Sequence, residues 1–192
     1  MSKTLWMTGL SGAGKSTLAN ALLLSLKAKK QSVVIVDGDE LRTGLCVNLG
    51  FSREDRRENV RRAAQACRML NDAGVTVIAA LVSPYREDRA MVRAIVGEQA
   101  FLEVWIATSL EVCELRDTKG LYRKARANLV PAFTGISDPY ESPLNASLVL
   151  DTAALSIPHC VKRLERALLG HALVSDSNGF AEKSWPLLRK SL

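Results

Sequence analysis

Histidine and cysteine, the residues that most often hold zinc in proteins, are scarce in this chain. It contains two histidines and four cysteines among 192 residues, and the cysteines stand singly, without a C-x-x-C pair or a histidine cluster nearby. A structural zinc site needs four such ligands at close spacing. These counts argue against a zinc protein, and we expect the cysteines to be small buried side chains in a reducing compartment.

A long hydrophobic run is also missing. The longest apolar stretch covers residues 75–82, whereas a helix needs roughly 20 apolar residues to cross a bilayer. A signal peptide has a charged segment, then an apolar segment, then a cleavage site, and the first residues of the chain do not show this pattern. We therefore predict a cytoplasmic protein that has no membrane partner.

Aromatic residues make up only 5% of the chain, but the rest of its composition is that of a folded domain. Hydrophobic residues account for 47% and charged residues for 24%, which excludes a disordered or coiled-coil protein. Lysine and arginine outnumber aspartate and glutamate by 26 to 20, an excess that suits an anionic ligand. Because the basic residues gather at loops and strand ends rather than along an aromatic-interleaved stripe, we predict no nucleic-acid partner.

Short apolar runs alternate with helical patterns along the chain. The apolar runs cover residues 4–8, 33–36, 75–82, 101–107 and 148–150, and helical patterns begin at residue 15 and cover about 53–73, 87–97 and 158–169. Continuous apolar runs are typical of strands covered on both faces, and this alternation predicts an α/β fold, a parallel sheet with helices on both faces.

We assign residues 1–170 to one domain and residues 171–192 to a C-terminal tail of unknown role. Inside the domain, residues 116–143 lack periodicity and are rich in lysine, arginine, glycine and proline. A stretch of this kind within a compact domain is usually a lid or a binding loop.

A phosphate-binding signature follows the first predicted strand. The pattern G-x-x-x-x-G-K-[ST], between a strand and a helix, is matched by Gly9, Leu10, Ser11, Gly12, Ala13, Gly14, Lys15 and Ser16, followed by Thr17. The glycines allow consecutive backbone N–H groups to face phosphates. Lys15 would reach the β- and γ-phosphates and Ser16 would bind Mg²⁺, so the sequence predicts ATP or GTP binding.

Two aspartates follow the second predicted strand, at the sheet edge where open α/β folds bind ligands. Asp37 and Asp39 are suited to hold Mg²⁺, through water, or to accept a proton from an attacking hydroxyl. Asp39 has an alternative role as the cap of the next helix. Arg42 lies three residues on, on the same helical face, where it could meet an acceptor phosphate.

The helical pattern after Ser52 carries polar residues on its inward face. Arg56 and Asn59 extend the apolar stripe that begins at Val60 by helical spacing. An arginine on a core-facing stripe needs an anionic partner. Either a bound phosphate or sulfate, or an internal carboxylate, would serve.

These motifs, taken in order, resemble the adenylylsulfate kinase (APS kinase) family over about residues 5–152. The resemblance is carried by GLSGAGKST at 9–17, DGD at 37–39 with Arg42, LGFS at 49–52, DR-x-EN at 55–59, SPYR at 83–86, RD-x-KGLY at 116–122, FTGI at 133–136 and PYE at 139–141. The family transfers the γ-phosphate of ATP to the 3′-hydroxyl of adenosine 5′-phosphosulfate (APS), which gives PAPS for sulfate assimilation.

The resemblance implies a P-loop kinase fold with a parallel five-stranded sheet, flanking helices and a mobile lid, usually in a homodimer. ATP and Mg²⁺ would bind at residues 9–17, with Arg116 against the ATP base. APS would contact Asp39, Arg42, Phe51, Arg56, Asn59, Val82, Ser83, Lys119 and Phe133.

The resemblance also implies chemical roles for some of these residues. Phe51 and Phe133 would sandwich the APS adenine, and Asp39 would orient or deprotonate the acceptor hydroxyl. Ser83 occupies the position where a phosphoserine has been proposed for the family, although in-line transfer needs no covalent step.

The chain departs from the family pattern at several positions. Pro131 stands where a lysine is common, and Ser137-Asp138 inverts the usual order of these two residue types. Two other functions are considered beside APS phosphorylation. One is a kinase for another nucleotide-linked acceptor, such as cytidine diphosphoramidate, and the other is a non-catalytic nucleotide-binding switch.

Overall fold

Five parallel strands form a single sheet in the computed structural model, which describes residues 2–170. The strands are β1 (Thr4–Thr8), β2 (Val33–Asp37), β3 (Thr76–Ala80), β4 (Phe101–Ile106) and β5 (Leu148–Leu150), in the spatial order β2-β3-β1-β4-β5. All the strands predicted from the sequence are confirmed. β3 ends before the apolar run does, because the chain leaves the sheet after Leu81 N donates its hydrogen bond to Met7 O.

Seven helices connect and cover the strands in the described part of the chain. They are α1 (Lys15–Ala28), α2 (Gly38–Thr43), α3 (Arg53–Asp72), α4 (Arg86–Val96), α5 (Leu110–Arg116), α6 (Leu121–Arg126) and α7 (Ile157–Leu168). Helices α1 and α7 pack on one face of the sheet, and α3 and α4 pack on the other. The predicted α/β fold, with helices on both faces of a five-stranded parallel sheet, is therefore confirmed.

The central strand β1 divides its side chains between two cores. Leu5 and Met7 are buried with residues of α1 and α7, whereas Trp6 is buried with residues of α3 and α4. Successive side chains of a strand point to opposite faces. Since both faces are covered, the whole strand is buried and its three central side chains are apolar, and its carboxyl end delivers the next residues to the edge of the sheet.

The cysteines have the environment that the sequence predicts. Cys46, Cys67, Cys113 and Cys160 are all buried and none forms a disulfide. Burial raises the pKa of the Cys67 thiol to about 12. Between residues 2 and 170, no group of three or more histidine, cysteine, aspartate or glutamate side chains could hold a metal ion. No helix in that range is long and apolar enough to cross a membrane.

The segment that lacks periodicity in the sequence, residues 116–143, begins at the last residue of α5 and contains the short helix α6. Helix α6 has six residues and buries only Tyr122 and Ala125, which is too short a stripe to show a helical period. The Tyr122 hydroxyl donates a 2.9 Å hydrogen bond to Ser11 O, so this segment lies over the loop that follows β1. Its mobility stays a prediction, and residues 171–192 lie outside the described residues.

Candidate active site

The loop after β1 turns in a way that only glycine tolerates. Gly9 has φ of +152° and Gly12 has φ of +73°. A Cβ atom on Gly9 would lie 2.6 Å from Ile106 O, and one on Gly12 would lie 3.0 Å from Cys113 O. Gly9, the first fixed glycine of the G-x-x-x-x-G-K-[ST] pattern, and Gly12, at one of its variable positions, therefore allow close backbone approach. The loop ends at the first residue of α1, whose N-terminus attracts anions.

Lys15, the lysine of this loop, is only 9% exposed. Its Nζ donates hydrogen bonds to Gly9 O at 2.9 Å and to Leu10 O at 2.8 Å. Burial lowers the pKa of the ammonium to about 8, although the carboxylates of Asp37 and Asp39 act in the opposite direction. A buried ammonium beside a helix N-terminus is a strong partner for phosphate oxygens.

Ser16 and Asp37 place two hard oxygen donors side by side. Ser16 Oγ donates to Asp37 Oδ2 at 2.7 Å. Mg²⁺ binds through few protein oxygens and keeps several of its waters, so this pair fits a magnesium ion even though the described residues offer no larger ligand cluster.

Asp37 also caps helix α2. Its Oδ1 accepts a 2.9 Å hydrogen bond from the backbone N–H of Asp39. The alternative that Asp39 itself is the cap is therefore wrong. The Asp39 carboxylate instead forms an ion pair with Lys119, which comes from the segment between α5 and α6.

Arg42 and Arg56 form a cationic wall of the site. Arg42 Nη1 donates to Gly50 O at 2.7 Å, and its guanidinium lies 4.2 Å from the centre of the Phe51 ring. Arg56 donates to Phe51 O at 3.0 Å and to Ala132 O at 2.7 Å. Burial, followed by the nearby charge of Arg56, lowers the pKa of Arg42.

Neither guanidinium of this wall is neutralised by a carboxylate within residues 2–170. The internal salt bridge considered for Arg56 is absent there. Both guanidinium groups are therefore available to an anionic ligand in the cavity.

Two buried polar groups have no hydrogen-bond partner among the described residues. They are Nδ2 of Asn59 and Oγ1 of Thr134, on side chains that are each 5% exposed. An unsatisfied buried polar group costs about 1–3 kcal/mol. Both residues line the same cavity, so a ligand with polar groups would satisfy them.

Phe51 and Phe133 lie in very different surroundings. Phe51 is 57% exposed, whereas Phe133 is 9% exposed and packs edge-on against Tyr122, with ring centres 5.0 Å apart. Both rings line the cavity, where they are placed to contact a flat apolar group such as a base.

Ser83 lines the cavity but is itself engaged with the core. It is 3% exposed, and its Oγ accepts a 3.0 Å hydrogen bond from Trp6 Nε1. Its φ of +36° is unusual for a residue other than glycine. Its proposed phosphorylation stays a prediction.

Arg116 contacts both the phosphate loop and Thr152. Its Nη1 donates to Thr152 Oγ1 at 2.8 Å and to Gly12 O at 3.3 Å. This places its guanidinium at the rim of the loop, where a nucleotide base could stack. Its contact with the ATP base stays a prediction.

A single cavity of about 760 Å³ at the carboxyl ends of β1, β2 and β3 unites these groups. Gly9, Leu10 and Ala13 do not line it. The other predicted site residues do: Ser11, Gly12, Gly14, Lys15, Ser16, Thr17, Asp37, Asp39, Arg42, Phe51, Arg56, Asn59, Val82, Ser83, Arg116, Lys119 and Phe133.

The charges on the cavity wall are unbalanced. The lining contains five lysine and arginine side chains but only two carboxylates, those of Asp37 and Asp39. A cavity of this size and charge suits one or more polyanionic ligands.

Comparison with known proteins decides the family. A model of the adenylylsulphate kinase family matches residues 1–151. The chain belongs to the adenylylsulphate kinase family. Similar proteins include the adenylyl-sulfate kinase of Prochlorococcus marinus, 51% identical over 170 residues that cover 88% of this chain and 85% of that protein. The adenylyl-sulfate kinase of Shewanella amazonensis is 54% identical over 160 residues, 83% of this chain and 81% of that protein.

Solved structures of the adenylylsulphate kinase family have the same fold. The APS kinase of Mycobacterium tuberculosis in complex with AMPPNP and APS has a TM-score of 0.85 at 42% identity, covering 88% of this chain and 98% of that chain. A hexameric APS kinase from Thiobacillus denitrificans has a TM-score of 0.67 at 32% identity, covering 88% of this chain and 29% of that chain.

The structure shows what the residues that depart from the family pattern contact. Pro131 lines the cavity and presents an apolar ring there. Ser137 Oγ accepts the backbone N–H of Phe133 at 3.0 Å, and Asp138 accepts the Tyr85 hydroxyl at 2.8 Å. The inverted pair therefore helps to fix the loop that carries Phe133.

Sequence reasoning missed Thr134 and Thr152, which also line the cavity. Thr134 belongs to the FTGI segment used for the resemblance, but a threonine in a loop carries no signal of its own. Its burial without a partner, which only the structure reveals, is what marks it as a contact residue.

Proposed function

We propose that this chain is an adenylylsulfate kinase, which transfers the γ-phosphate of ATP to the 3′-hydroxyl of adenosine 5′-phosphosulfate to give PAPS. One observation carries the proposal. The cavity that contains the phosphate loop also contains a second anion-binding wall, Arg42 and Arg56, whose guanidinium groups hydrogen-bond only backbone carbonyls in the described residues. A nucleotide switch needs the loop alone, whereas a kinase with an anionic acceptor needs both.

The donor nucleotide would be held by residues 9–17. The backbone N–H groups and the ammonium of Lys15 would balance the charge that develops on the transferred group. Ser16 and Asp37 would hold the Mg²⁺ that accompanies ATP, which when bound neutralises charge on the β- and γ-phosphate oxygens. Arg116 would lie along the donor base.

The acceptor would be held by the cationic wall and the two aromatic rings. Arg42, Arg56 and Asn59 would bind the phosphosulfate, and Phe51 and Phe133 would enclose the adenine. APS would also contact Val82, Ser83 and Lys119.

Asp39 would orient the 3′-hydroxyl and accept its proton as the oxygen attacks in line. Capping of α2 does not occupy the Asp39 carboxylate, because Asp37 is the cap.

We also propose that the chain forms a homodimer and works in the cytoplasm in sulfate assimilation. The family resemblance supports a dimer, while the Thiobacillus denitrificans relative is described as hexameric. Light scattering on a size-exclusion column distinguishes the two assemblies. A mass of two chains would support the proposal, and a mass of six would refute it.

The test of function is ADP release with Mg-ATP in the presence of APS, a cytidine diphosphate-linked acceptor, or no acceptor. We expect turnover to require APS. Lys15→Met should abolish turnover, and the control Lys27→Met, on the exposed last turn of the same helix, should not. Turnover only with the cytidine acceptor would move the protein to another kinase class. ATP binding without turnover would favour a switch.

A further inference from the structure

A buried ion pair lies behind the acceptor side of the cavity without lining it. Arg89 on α4 is 3% exposed and Glu103 on β4 is 8% exposed, and Arg89 Nε lies 2.8 Å from Glu103 Oε1. Arg93, one turn further along α4, approaches the other oxygen of Glu103 at 3.7 Å. Buried ion pairs are weak sources of stability. Stability alone therefore does not explain why Arg89 and Glu103 are so completely buried.

The other two nitrogens of the Arg89 guanidinium explain the burial, because each of them holds a backbone carbonyl. Nη1 donates to Ser83 O at 2.7 Å, and Nη2 donates to Glu141 O at 2.6 Å. These two carbonyls belong to segments far apart in sequence. A planar guanidinium can hold a carboxylate and two carbonyls in fixed directions, which the single ammonium of lysine cannot do.

The first segment, residues 82–85, is strained and held at several points. Ser83 has φ of +36°, a conformation that persists only where the surroundings fix it. Trp6 Nε1 donates to Ser83 Oγ, and Thr8 Oγ1 donates to Val82 O at 2.8 Å. Arg89 adds the contact to the Ser83 carbonyl.

The second segment, residues 133–141, is tied to the first. Glu141 N donates to Pro84 O at 2.9 Å, and the Tyr85 hydroxyl donates to Asp138 at 2.8 Å. Both segments contribute to the cavity wall, the first through Val82 and Ser83 and the second through Phe133. Arg89, which belongs to neither segment, thus joins the two through their backbone carbonyls.

We propose that Arg89 is a positioning residue for the acceptor, because it fixes the distance between residues 82–85 and residues 133–141 through the Ser83 and Glu141 carbonyls. Glu103 fixes the rotation of the guanidinium. The inference rests on the proposed function, in which these two segments contact APS. It does not involve the phosphate loop, so donor binding should be spared.

The test variant is Arg89→Lys, which keeps a positive charge beside Glu103 but cannot hold both carbonyls. A loosened site misplaces its ligand, so we expect the KM for APS to rise about tenfold, with the KM for ATP changed less than about twofold. The control is Arg93→Lys, which also faces Glu103 but contacts neither segment, and it should behave as the wild type. Equal rises of both KM values, or no rise, would overturn the inference.

A second variant keeps the proposal testable if Arg89→Lys does not fold. Arg89→Met combined with Glu103→Leu removes both charges, so that no unpaired charge stays buried. It should show the same selective rise in the KM for APS. If it folds and keeps the wild-type KM for APS, Arg89 has no positioning role.

Hydrogen exchange measured by mass spectrometry tests the positioning independently of activity. In Arg89→Lys, peptides that cover residues 82–86 and 133–141 should exchange faster, while peptides from residues 9–20 should be unchanged. Uniform exchange across these peptides would overturn the inference. If the wild type does not turn over APS, the proposed function fails and the exchange data alone decide the role of Arg89.

Discussion

Replacement of Arg56 by alanine tests the acceptor-binding role of the cationic wall with little disturbance of the fold. Its two hydrogen bonds go to backbone carbonyls near the surface, those of Phe51 and Ala132. Removal of the side chain leaves no carboxylate unpaired in the described part of the chain, and water can replace the lost donors. We expect a loss of stability of about 1 kcal/mol or less.

The effect on acceptor binding should be much larger than the effect on stability. A hydrogen bond to a charged group contributes about 1.5–3 kcal/mol. This corresponds to a rise in the KM for APS of about 10- to 150-fold. Because Arg56 lies outside the phosphate loop, the KM for ATP should change less than about twofold.

The assay is steady-state ADP release, with APS varied at saturating Mg-ATP and then the reverse. Arg57→Ala is the matched control, since Arg57 is the next residue of α3, is exposed, and among the described residues has a single polar contact, at 3.7 Å with Glu87. It should keep the wild-type KM for both substrates. An unchanged KM for APS in Arg56→Ala would refute the acceptor role of Arg56.

Three further predictions follow from the site. Asp39→Asn should lower kcat by about 10²–10⁴-fold and leave the affinity for ATP, measured by calorimetry, unchanged; wild-type kcat would exclude Asp39 as the base. Burial lowers the pKa of Lys15 to about 8, so the free protein loses this charge above that pH. The kcat/KM for ATP should then fall between pH 7 and pH 9, and a flat profile would contradict the phosphate contact. Phe51→Ala should raise the KM for APS without a change in Tm, because Phe51 is exposed. Phe133→Ala should raise the same KM and also lower Tm, because Phe133 is buried against Tyr122; equal Tm values for the two variants would contradict this.

The strands and the phosphate loop were predictable from the sequence because their signals are local. A strand buried on both faces needs a continuous apolar run, and β1 supplies one in Leu5, Trp6 and Met7. The phosphate loop needs glycines at fixed spacing for backbone reasons, and the fixed glycines Gly9 and Gly14 have the positive φ values that explain them.

Local signals failed where a short element depends on distant partners. Helix α6 has too few residues to show a period, and its Tyr122 is held by a carbonyl of the phosphate loop, that of Ser11. The sequence allows Asp39 as a cap of α2 beside its chemical role, because either aspartate suits a cap, and only the backbone geometry selects Asp37.

The contacts that join distant segments could not be predicted at all. Lys119 meets Asp39 across 80 positions of the chain, and Arg89 meets the carbonyl of Glu141 across 52. No periodicity or composition encodes such pairs. The unpartnered hydroxyl of Thr134 is equally invisible in sequence, since it becomes significant only through its burial.

The most direct test of the central claim follows the transferred phosphate itself. Purified protein would be incubated with Mg-ATP labelled in the γ-phosphate and with APS, and the products would be separated and treated with a 3′-nucleotidase. We predict that the label appears in a product with the mass of PAPS and is released by the 3′-nucleotidase. Label that appears only as free phosphate, or that stays on ATP at every APS concentration, would contradict the assignment of the cavity as an APS kinase site.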